Sequence, residues 1–167
     1  HSLKPKESYK DFAHQIADAI PGAGCDNQRG GWYDMMERTL KEGEENHRLV
    51  WHDRKAWWQQ EQGILAYYIM AGVYNDKPEY LNFAREGTAF YNGWFLDYEE
   101  GGIYFNVLAN GQPYALGTER GKGSHSMAGY HSFELCYLAA IYTNLLIKKQ
   151  SMDFYFCPEP NAWENNI

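Results

Sequence analysis

The feature that most constrains the fold is a motif that occurs twice in the chain, 71 residues apart. Residues 26–33 read DNQRGGWY and residues 97–104 read DYEEGGIY, and both fit D-x-x-x-G-G-x-Y. Paired glycines allow positive φ and the aromatic residues after them favour short strands, so each copy predicts a turn that enters a small hairpin. Asn110 and Gly111 are expected to close the second hairpin. A repeat of this length predicts stacked supersecondary units.

Each copy of the motif lies between two segments with helical periodicity. The helix before the first copy has Ser8 as its predicted N-cap, and Pro21 and Gly22 are predicted to stop it. Pro78 favours the first turn of the helix before the second copy. The four predicted helices are Ser8–Ile20, Lys55–Val73, Lys77–Leu96 and Ala128–Ile147.

The helices that follow the motif are more apolar than those that precede it. In residues 130–147 the only formal charge is that of Glu134, so this helix is predicted to be buried on most sides. Alternating amphipathic and apolar helices predict an all-α fold, an α/α toroid with one ring of helices inside another. Two repeats cannot close a ring, so residues 1–167 are predicted to be a single domain that forms part of a barrel, with short β-hairpins between its helices.

The composition argues against several classes of protein. A net charge of −7 leaves no basic patch, so we expect no nucleic-acid partner. The chain has no apolar run of about 18 residues, so we expect no membrane span. Cys25, Cys136 and Cys157 are odd in number and lack metal spacing, which predicts a reduced, cytoplasmic protein. The aromatic content of 17% suits a thick core or a site for sugar-like ligands.

A carboxylate stands in the apolar stripe of the second predicted helix. Helical periodicity places Glu61 near the middle of the apolar face and Gln62 towards its edge. An unpaired carboxylate is costly to bury, so Glu61 either has a partner or faces a wet cavity. Two interpretations stay open: a structural glutamate satisfied by Arg54, Lys55 or a backbone N–H, or a functional acid.

The repeat relates this acid to a histidine on the next apolar helix. Counting 71 residues from Gln60 leads to His131, so Glu61 and His131 are predicted at nearly the same level on successive inner helices. In a ring of helices that level forms one rim of the central cavity. An acid and a histidine side by side there could act as general acid and base. The alternative is a buried histidine with satisfied hydrogen bonds.

A metal site is the weaker interpretation of the same region. His125, His131 and Glu134 are close in sequence, but H-x-x-E reverses the di-iron E-x-x-H spacing and has no second copy. We therefore predict no metal and no organic cofactor. Glu134 lies one turn beyond His131 and is a candidate to orient its ring.

These segments resemble the N-acylglucosamine 2-epimerase and cellobiose 2-epimerase family. KAWWQQEQG (55–63) is similar to the family's K-x-W-W-P-Q-A-E-A signature, and KGSHSMAGYHSFE (122–134) to its K-C-P-Y-H-N-G-R segment. FLDYEEGGIYFNVLANGQP (95–113) is similar to the hairpin between them. The resemblance extends from about Asp26 to Ile147 and implies an (α/α)6 barrel that epimerises or isomerises sugars at C2.

The resemblance also implies roles for individual residues. His131 matches the family's C-terminal catalytic histidine. Trp57 and Trp58, which core packing alone would also explain, match the paired tryptophans beside the sugar, and Lys55 matches the lysine before them. The predicted site consists of His131 and Glu61 as catalytic residues and of Trp57, Trp58, Lys55, Gln62, Tyr130 and Glu134 as substrate-binding residues.

The chain departs from the family pattern at several positions. The family's glutamate falls on Gln62, and Glu61 falls on its alanine, so Glu61 would act from one position earlier. The family's arginine falls on Glu134 and its lysine on Met127. Its other catalytic histidine, in a G-H-x-x-E segment, has no match, so we expect the C-terminal part of a barrel. The expected partners are a mono- or disaccharide and the remainder of the barrel or another copy of the chain.

The implied reaction is that of a sugar 2-epimerase or aldose–ketose isomerase, with proton abstraction and return at C2 through an enediolate. Two other interpretations of the sequence stay open. An inverting glycosidase would use Glu61 and Glu134 as its two carboxylates. A catalytically inactive carbohydrate-binding module is favoured by the replaced family residues.

Overall fold

The structure, a computed structural model, describes residues 4–124 and 126–155 of the 167-residue chain. Helix α2 contacts α1, α3 and α4, so it is the central helix of the described fold. Predominantly helical architecture with short β segments confirms the predicted fold class. The elements are α1 (Glu7–Gly24), β1 (Arg54–Ala56), α2 (Trp57–Val73), α3 (Pro78–Trp94), β2 (Asn106–Leu108), α4 (Tyr130–Tyr142) and a π-helical turn (Thr143–Ile147).

Helix α1 continues past its predicted stop. Pro21 lies inside the helix, although its missing N–H leaves the carbonyl of Ala17 without its usual intrahelical donor. The hydroxyl of Tyr67 on α2 donates to that carbonyl at 2.8 Å. Because a tertiary hydrogen bond replaces the lost one, the helix extends to Gly24. The N-cap is Lys6 rather than Ser8.

The ends of the other helices also differ from the prediction. Lys55 belongs to strand β1, and α2 begins two residues later. Helix α3 begins at Pro78, in agreement with the preference of proline for the first turn. Helix α4 begins at Tyr130, and the last five residues of the predicted helix form the π-helical turn.

Both copies of the motif fold in the same way, which confirms the predicted turns. The carboxylate of Asp26 accepts hydrogen bonds of 3.0 and 3.1 Å from the backbone two and three residues on, and Asp97 does the same at the same distances. All four glycines of the two pairs have positive φ, between 76° and 90°. A β-bridge closes each turn, Cys25 with Trp32 and Leu96 with Ile103.

The two repeats are joined by a pairing that the sequence did not predict. Strand β1 of the first repeat pairs antiparallel with β2 of the second, with Lys55 opposite Val107. Beyond β2, the N–H of Gly111 donates to the carbonyl of Leu108 at 2.9 Å, and the chain turns there. This turn at 110–111 agrees with the prediction, although β2 also pairs with the other repeat.

A lysine binds the turn of each motif. Lys55 Nζ donates to Asp26 Oδ2 at 2.8 Å and to the carbonyl of Gly30 at 2.6 Å. Lys122 Nζ makes the corresponding bonds to Asp97 and to the carbonyl of the second motif's first glycine, at 2.7 and 3.0 Å. The side chain of Lys55 is 0% exposed and that of Lys122 is 26% exposed. The same lysine–aspartate ion pair is therefore buried in the first repeat and partly exposed to solvent in the second.

The indole of Trp32 fills the space where α2 and α3 approach each other. It stacks on Tyr67 with 5.6 Å between ring centroids and lies between Gly63 of α2 and Gly87 of α3. A Cβ atom on either glycine would lie 2.7 Å from a ring carbon of Trp32. The absence of a side chain at both positions lets the ring of the motif pack into the helix pair.

Helix α4 is less buried than its sequence predicts. Among the described residues, none in α4 is buried, and Phe133 and Tyr137 are 71% and 48% exposed. In the described part of the chain, α2 packs against one side of α4. The apolar side chains on the opposite face of α4 are exposed to solvent. The prediction of burial on most sides is wrong for the described part of the chain.

Two predictions about the whole chain concern membranes and cysteines. In the part that the structure describes, no helix is both long and apolar enough to cross a bilayer. Cys25 and Cys136 are free thiols. Cys157 lies outside the described residues.

The burial of Lys55 predicts unequal effects of the same change in the two repeats. Lys55→Met would leave the carboxylate of Asp26 buried without its cation, so we expect it to lower the free energy of unfolding by about 3–5 kcal/mol. Lys122→Met is the matched control and should have a small effect, because water reaches that pair. Urea denaturation of both variants measures the difference. Equal losses would contradict the assigned difference in burial.

The packing of Trp32 predicts the effect of a methyl group on α3. Gly87→Ala would force the methyl against the indole, so we expect a loss of about 1–3 kcal/mol in unfolding free energy. Gly93→Ala lies on the same helix with no atom within 4 Å of the added carbon and should be neutral or stabilising. Thermal denaturation compares them, and a stable Gly87→Ala protein would show that the indole does not occupy this space.

Candidate functional site

His131 lies in the first turn of α4, where side chains from α2 meet it. Gln62 Nε2 lies 3.2 Å from His131 Nδ1 and donates a second hydrogen bond to Glu134 Oε2 at 2.9 Å. Gln62, His131 and Glu134 are each half-buried, so water and small molecules reach this cluster. The structure therefore brings together three of the residues that the sequence predicted for the site.

Aromatic rings surround the imidazole of His131. The ring centroids of Trp57, Trp58 and Tyr130 lie 5.4, 6.3 and 3.9 Å from that of His131. Trp57 is only 2% exposed and also packs edge-on against Phe105, so it is a core residue. Trp58 and Tyr130 are 42% and 61% exposed, and either ring can offer a face to a ligand.

Glu61 has a different environment from the one predicted. It is fully buried, and its Oε1 accepts hydrogen bonds of 2.5 Å from the hydroxyls of Tyr91 on α3 and Ser132 on α4. Its Oε2 has no hydrogen-bond partner among the described residues. Burial raises the pKa of Glu61, and the hydrogen bonds from Ser132 and Tyr91 offset that rise only in part.

The carboxylate of Glu61 therefore does not stand at an open rim beside His131, although Glu61 lines a cavity between α2, α3 and α4 together with Tyr91 and Ser132. Helical periodicity placed Glu61 on the buried face of α2, but it did not show that α3 covers this face. The carboxylate is satisfied in part, as the structural interpretation required, although by Tyr91 and Ser132 rather than by Arg54 or Lys55. The repeat contained a signal for one partner, because the 71-residue offset applied to Glu61 itself leads to Ser132.

Lys55 is also separated from the predicted site. Its ammonium group is fully buried, is bound to Asp26 and Gly30, and lies 3.7 Å from the centroid of the Phe90 ring. A side chain with no exposed surface cannot contact a sugar. Its role in this structure is to hold the first motif, and we exclude it from the proposed site.

The described residues contain no group of three His, Cys, Asp or Glu side chains arranged to hold a metal ion. His125, which the metal interpretation required, lies outside the described residues. His131 and Glu134 share Gln62 as a hydrogen-bond partner instead.

Comparison with known proteins identifies the fold. Cellobiose 2-epimerase from Bacillus thermoamylovorans B4167 is 21% identical, with a TM-score of 0.53 over 78% of this chain and 29% of that chain. A sugar epimerase from a ruminal bacterium is 17% identical, with a TM-score of 0.58 over 86% of this chain and 32% of that chain. The chain thus has the fold of part of an (α/α)6 barrel and spans less than a third of either structure's length. No family model and no curated protein matches it.

The environment of Glu61 predicts a pH-dependent effect of Glu61→Gln. The pKa of Glu61 is raised in the folded state, so the folded protein binds the proton more tightly than the unfolded chain does. The free energy of unfolding therefore falls as pH rises from the pKa of Glu61 in the unfolded chain to its pKa in the folded protein. Glutamine keeps an acceptor for Tyr91 and Ser132 and does not titrate. We therefore expect the melting temperature of Glu61→Gln, relative to the parent, to increase as pH rises from 4 to 8.

Melting temperatures measured from pH 4 to pH 8 test this prediction. Glu99→Gln removes the same charge from an exposed turn and should show a difference from the parent that varies little with pH. One kcal/mol corresponds to about 2–4 °C for a chain of this size. A difference that does not change with pH would show that the carboxylate ionises in the folded state without cost, and would contradict the prediction.

Proposed function

We propose that this chain contributes one proton-transfer side of a sugar 2-epimerase or aldose–ketose isomerase. The observation that carries the proposal is His131, a half-buried imidazole between the exposed rings of Trp58 and Tyr130, in a fold shared with solved sugar epimerases. The proposed substrate is an aldose or a disaccharide with a free reducing end, such as a mannose, N-acylglucosamine or cellobiose type of sugar.

The proposed reaction needs only proton transfers. After ring opening, a base removes the C2 proton, which is acidic because it is α to the C1 carbonyl, and an enediolate forms. An acid on the opposite face returns a proton to C2 and inverts its configuration; return to C1 instead gives the ketose. Imidazole suits this exchange because its unperturbed pKa of about 6.5 lies near physiological pH. No metal or organic cofactor enters these steps.

The neighbours of His131 suit a sugar. The exposed indole of Trp58 offers an apolar surface on which the C–H face of a pyranose can stack. Glu134 and Gln62 carry the polar atoms nearest to the imidazole and are the candidates to bind hydroxyl groups. Tyr130 completes the open side of the cluster.

A second proton-transfer group must come from outside the described residues. Inversion at C2 requires groups on both faces of the enediolate, and His131 serves only one face. The solved epimerases are more than three times as long as the part of them that this chain covers, and the rest of such a barrel would supply the opposite wall. The remainder of the barrel is accordingly the proposed partner of this chain.

The burial of Glu61 weighs against the glycosidase alternative. An inverting glycosidase needs two carboxylates facing a shared cavity about 6.5–9.5 Å apart. Glu134 borders the open cluster, whereas Glu61 is fully buried between α2, α3 and α4. The described residues thus offer that mechanism only one accessible acid beside His131.

Exchange of the C2 proton with solvent tests the proposal directly. We expect the full-length protein, incubated in D₂O with mannose, N-acetylmannosamine or cellobiose, to incorporate deuterium at C2 of one of them, detected by NMR. His131→Gln should reduce the rate by about 10²–10⁴-fold, the usual contribution of a general acid or base. His14→Gln, on the distant helix α1, is the matched control and should retain the rate.

Each other outcome has a defined meaning. Sugar binding without exchange would replace the epimerase proposal with a non-catalytic binding module. New reducing ends from an oligosaccharide would indicate a glycosidase. Undiminished exchange by His131→Gln would retain the reaction and reject His131 as its proton carrier.

A further inference from the structure

The side chain of Gln62 bridges two ionisable groups of the half-buried cluster, His131 and Glu134. Its Nε2 atom lies 3.2 Å from His131 Nδ1 and 2.9 Å from Glu134 Oε2. A primary amide has two N–H donors on one nitrogen, so one Gln62 side chain can satisfy both contacts at once. The contact with His131 joins α2 to the first turn of α4, and the contact with Glu134 joins α2 to the second turn.

The carboxylate of Glu134 fixes the orientation of this amide. If the amide were rotated by 180°, its Oε1 atom would face the Glu134 oxygen, and two acceptors would meet at hydrogen-bond distance without a proton between them. Nitrogen must therefore face Glu134, and the same nitrogen then faces His131. Because Gln62 Nε2 only donates, His131 Nδ1 is the acceptor.

We propose that Gln62, oriented by Glu134, is a positioning residue that holds His131 in the neutral tautomer with its proton on Nε2. An imidazole that accepts at Nδ1 carries its single proton on the other nitrogen. Among the described residues, none hydrogen-bonds Nε2, so this N–H is the group that His131 offers to a ligand. The inference deepens the proposed function, on which its catalytic consequence rests.

The tautomer sets the order in which His131 can act. In the resting state Nε2–H donates to an oxygen of the sugar. Nε2 becomes a base only after its proton is lost to solvent and a solvent proton binds Nδ1, and Nδ1–H then needs an acceptor. Rotation of the Gln62 amide would present Oε1 to Nδ1–H, but it would also remove the donor from Glu134. The charge of Glu134 therefore disfavours the tautomer of His131 in which Nε2 is unprotonated. The Gln62 amide links the two residues, because its orientation determines both the hydrogen bond to Glu134 and the tautomer of His131.

The groups that face His131 support this reading. From α2 these are the rings of Trp57 and Trp58, besides Gln62, and from α4 they are Tyr130 and Glu134. Glu61, the other nearby carboxyl group, interacts with His131 through its charge but makes no hydrogen bond to the imidazole, because its Oε1 accepts from Tyr91 and Ser132. Gln62 is thus the only described group that bonds Nδ1.

Long-range ¹H–¹⁵N NMR of the chain with ¹⁵N-labelled histidine tests the proposal. The signals of His131 are those that disappear in His131→Gln. Above the pH at which imidazole is protonated, we expect the parent protein to show Nε2 protonated and Nδ1 unprotonated. In Gln62→Glu a carboxylate faces Nδ1 and accepts its proton, so the pattern should be reversed or become that of the cation. Gln28→Glu adds the same charge on an exposed turn and should leave the parent pattern.

A second variant keeps the test decisive if Gln62→Glu fails to fold. Glu134→Gln removes the charge that orients the amide, so both amide orientations and a mixture of both tautomers are expected. A parent protein with its proton on Nδ1, or an unchanged pattern in a folded Gln62→Glu or Glu134→Gln protein, would overturn the proposal. The spectra need no substrate, so they are independent of the sugar-exchange result. Exchange without the expected tautomer would retain the function and reject the role of Gln62.

Discussion

The structure depends on the buried ion pair between Lys55 and Asp26. Burial raises the pKa of Asp26, but the hydrogen bond and charge of Lys55, together with the backbone N–H donors of Gln28 and Arg29, outweigh it, so the pKa is lowered and the carboxylate form is favoured. Burial lowers the pKa of Lys55, and the hydrogen bond to Asp26 opposes that shift. The main chain of Lys55 pairs with Val107 of the other repeat while its side chain binds the turn of its own repeat. One residue thus joins both motifs immediately before α2 begins. The position of the first turn of α2 sets the directions in which the side chains of Gln60, Glu61 and Gln62 point.

Three successive residues of α2 show how this position is used. Gln60 exchanges two hydrogen bonds of 2.8 Å with the backbone of Trp32, which fixes the first motif against the helix. Glu61, about 100° further round the helix, binds α3 and α4 through their hydroxyl groups. Gln62, another 100° round, reaches the open cluster at His131. Adjacent polar residues of similar size therefore serve the motif, the core and the site.

Local signals in the sequence predict the repeat and the helices, and the repeat leads to His131; the family resemblance adds Trp58, Gln62 and Tyr130 beside it. The double glycines and the aspartates specify their turns through short-range hydrogen bonds, and helical periodicity needs no knowledge of neighbours. The difference at Glu61 arises because periodicity identifies a buried face but not the element that covers it. Pro21 predicts a helix stop that the structure does not have, because Tyr67, 46 residues away, supplies a hydrogen bond to the carbonyl that Pro21 leaves without a donor. The family resemblance places Lys55 at the site, but its side chain is fully buried.

The same long-range contacts explain why the site lies where the two repeats meet. Helix α4 has no side-chain hydrogen bond at its N-cap. Two contacts from α2 hold its first two turns: Glu61 accepts from Ser132, and Gln62 donates to Glu134. Ser132 is the neighbour of His131 in the chain, and Glu134 lies one turn beyond it. The histidine is therefore placed by a buried acid on one side and by an amide on the other. A change at Glu61 would therefore alter the imidazole indirectly, through Ser132, whereas a change at Gln62 would alter it through their direct contact.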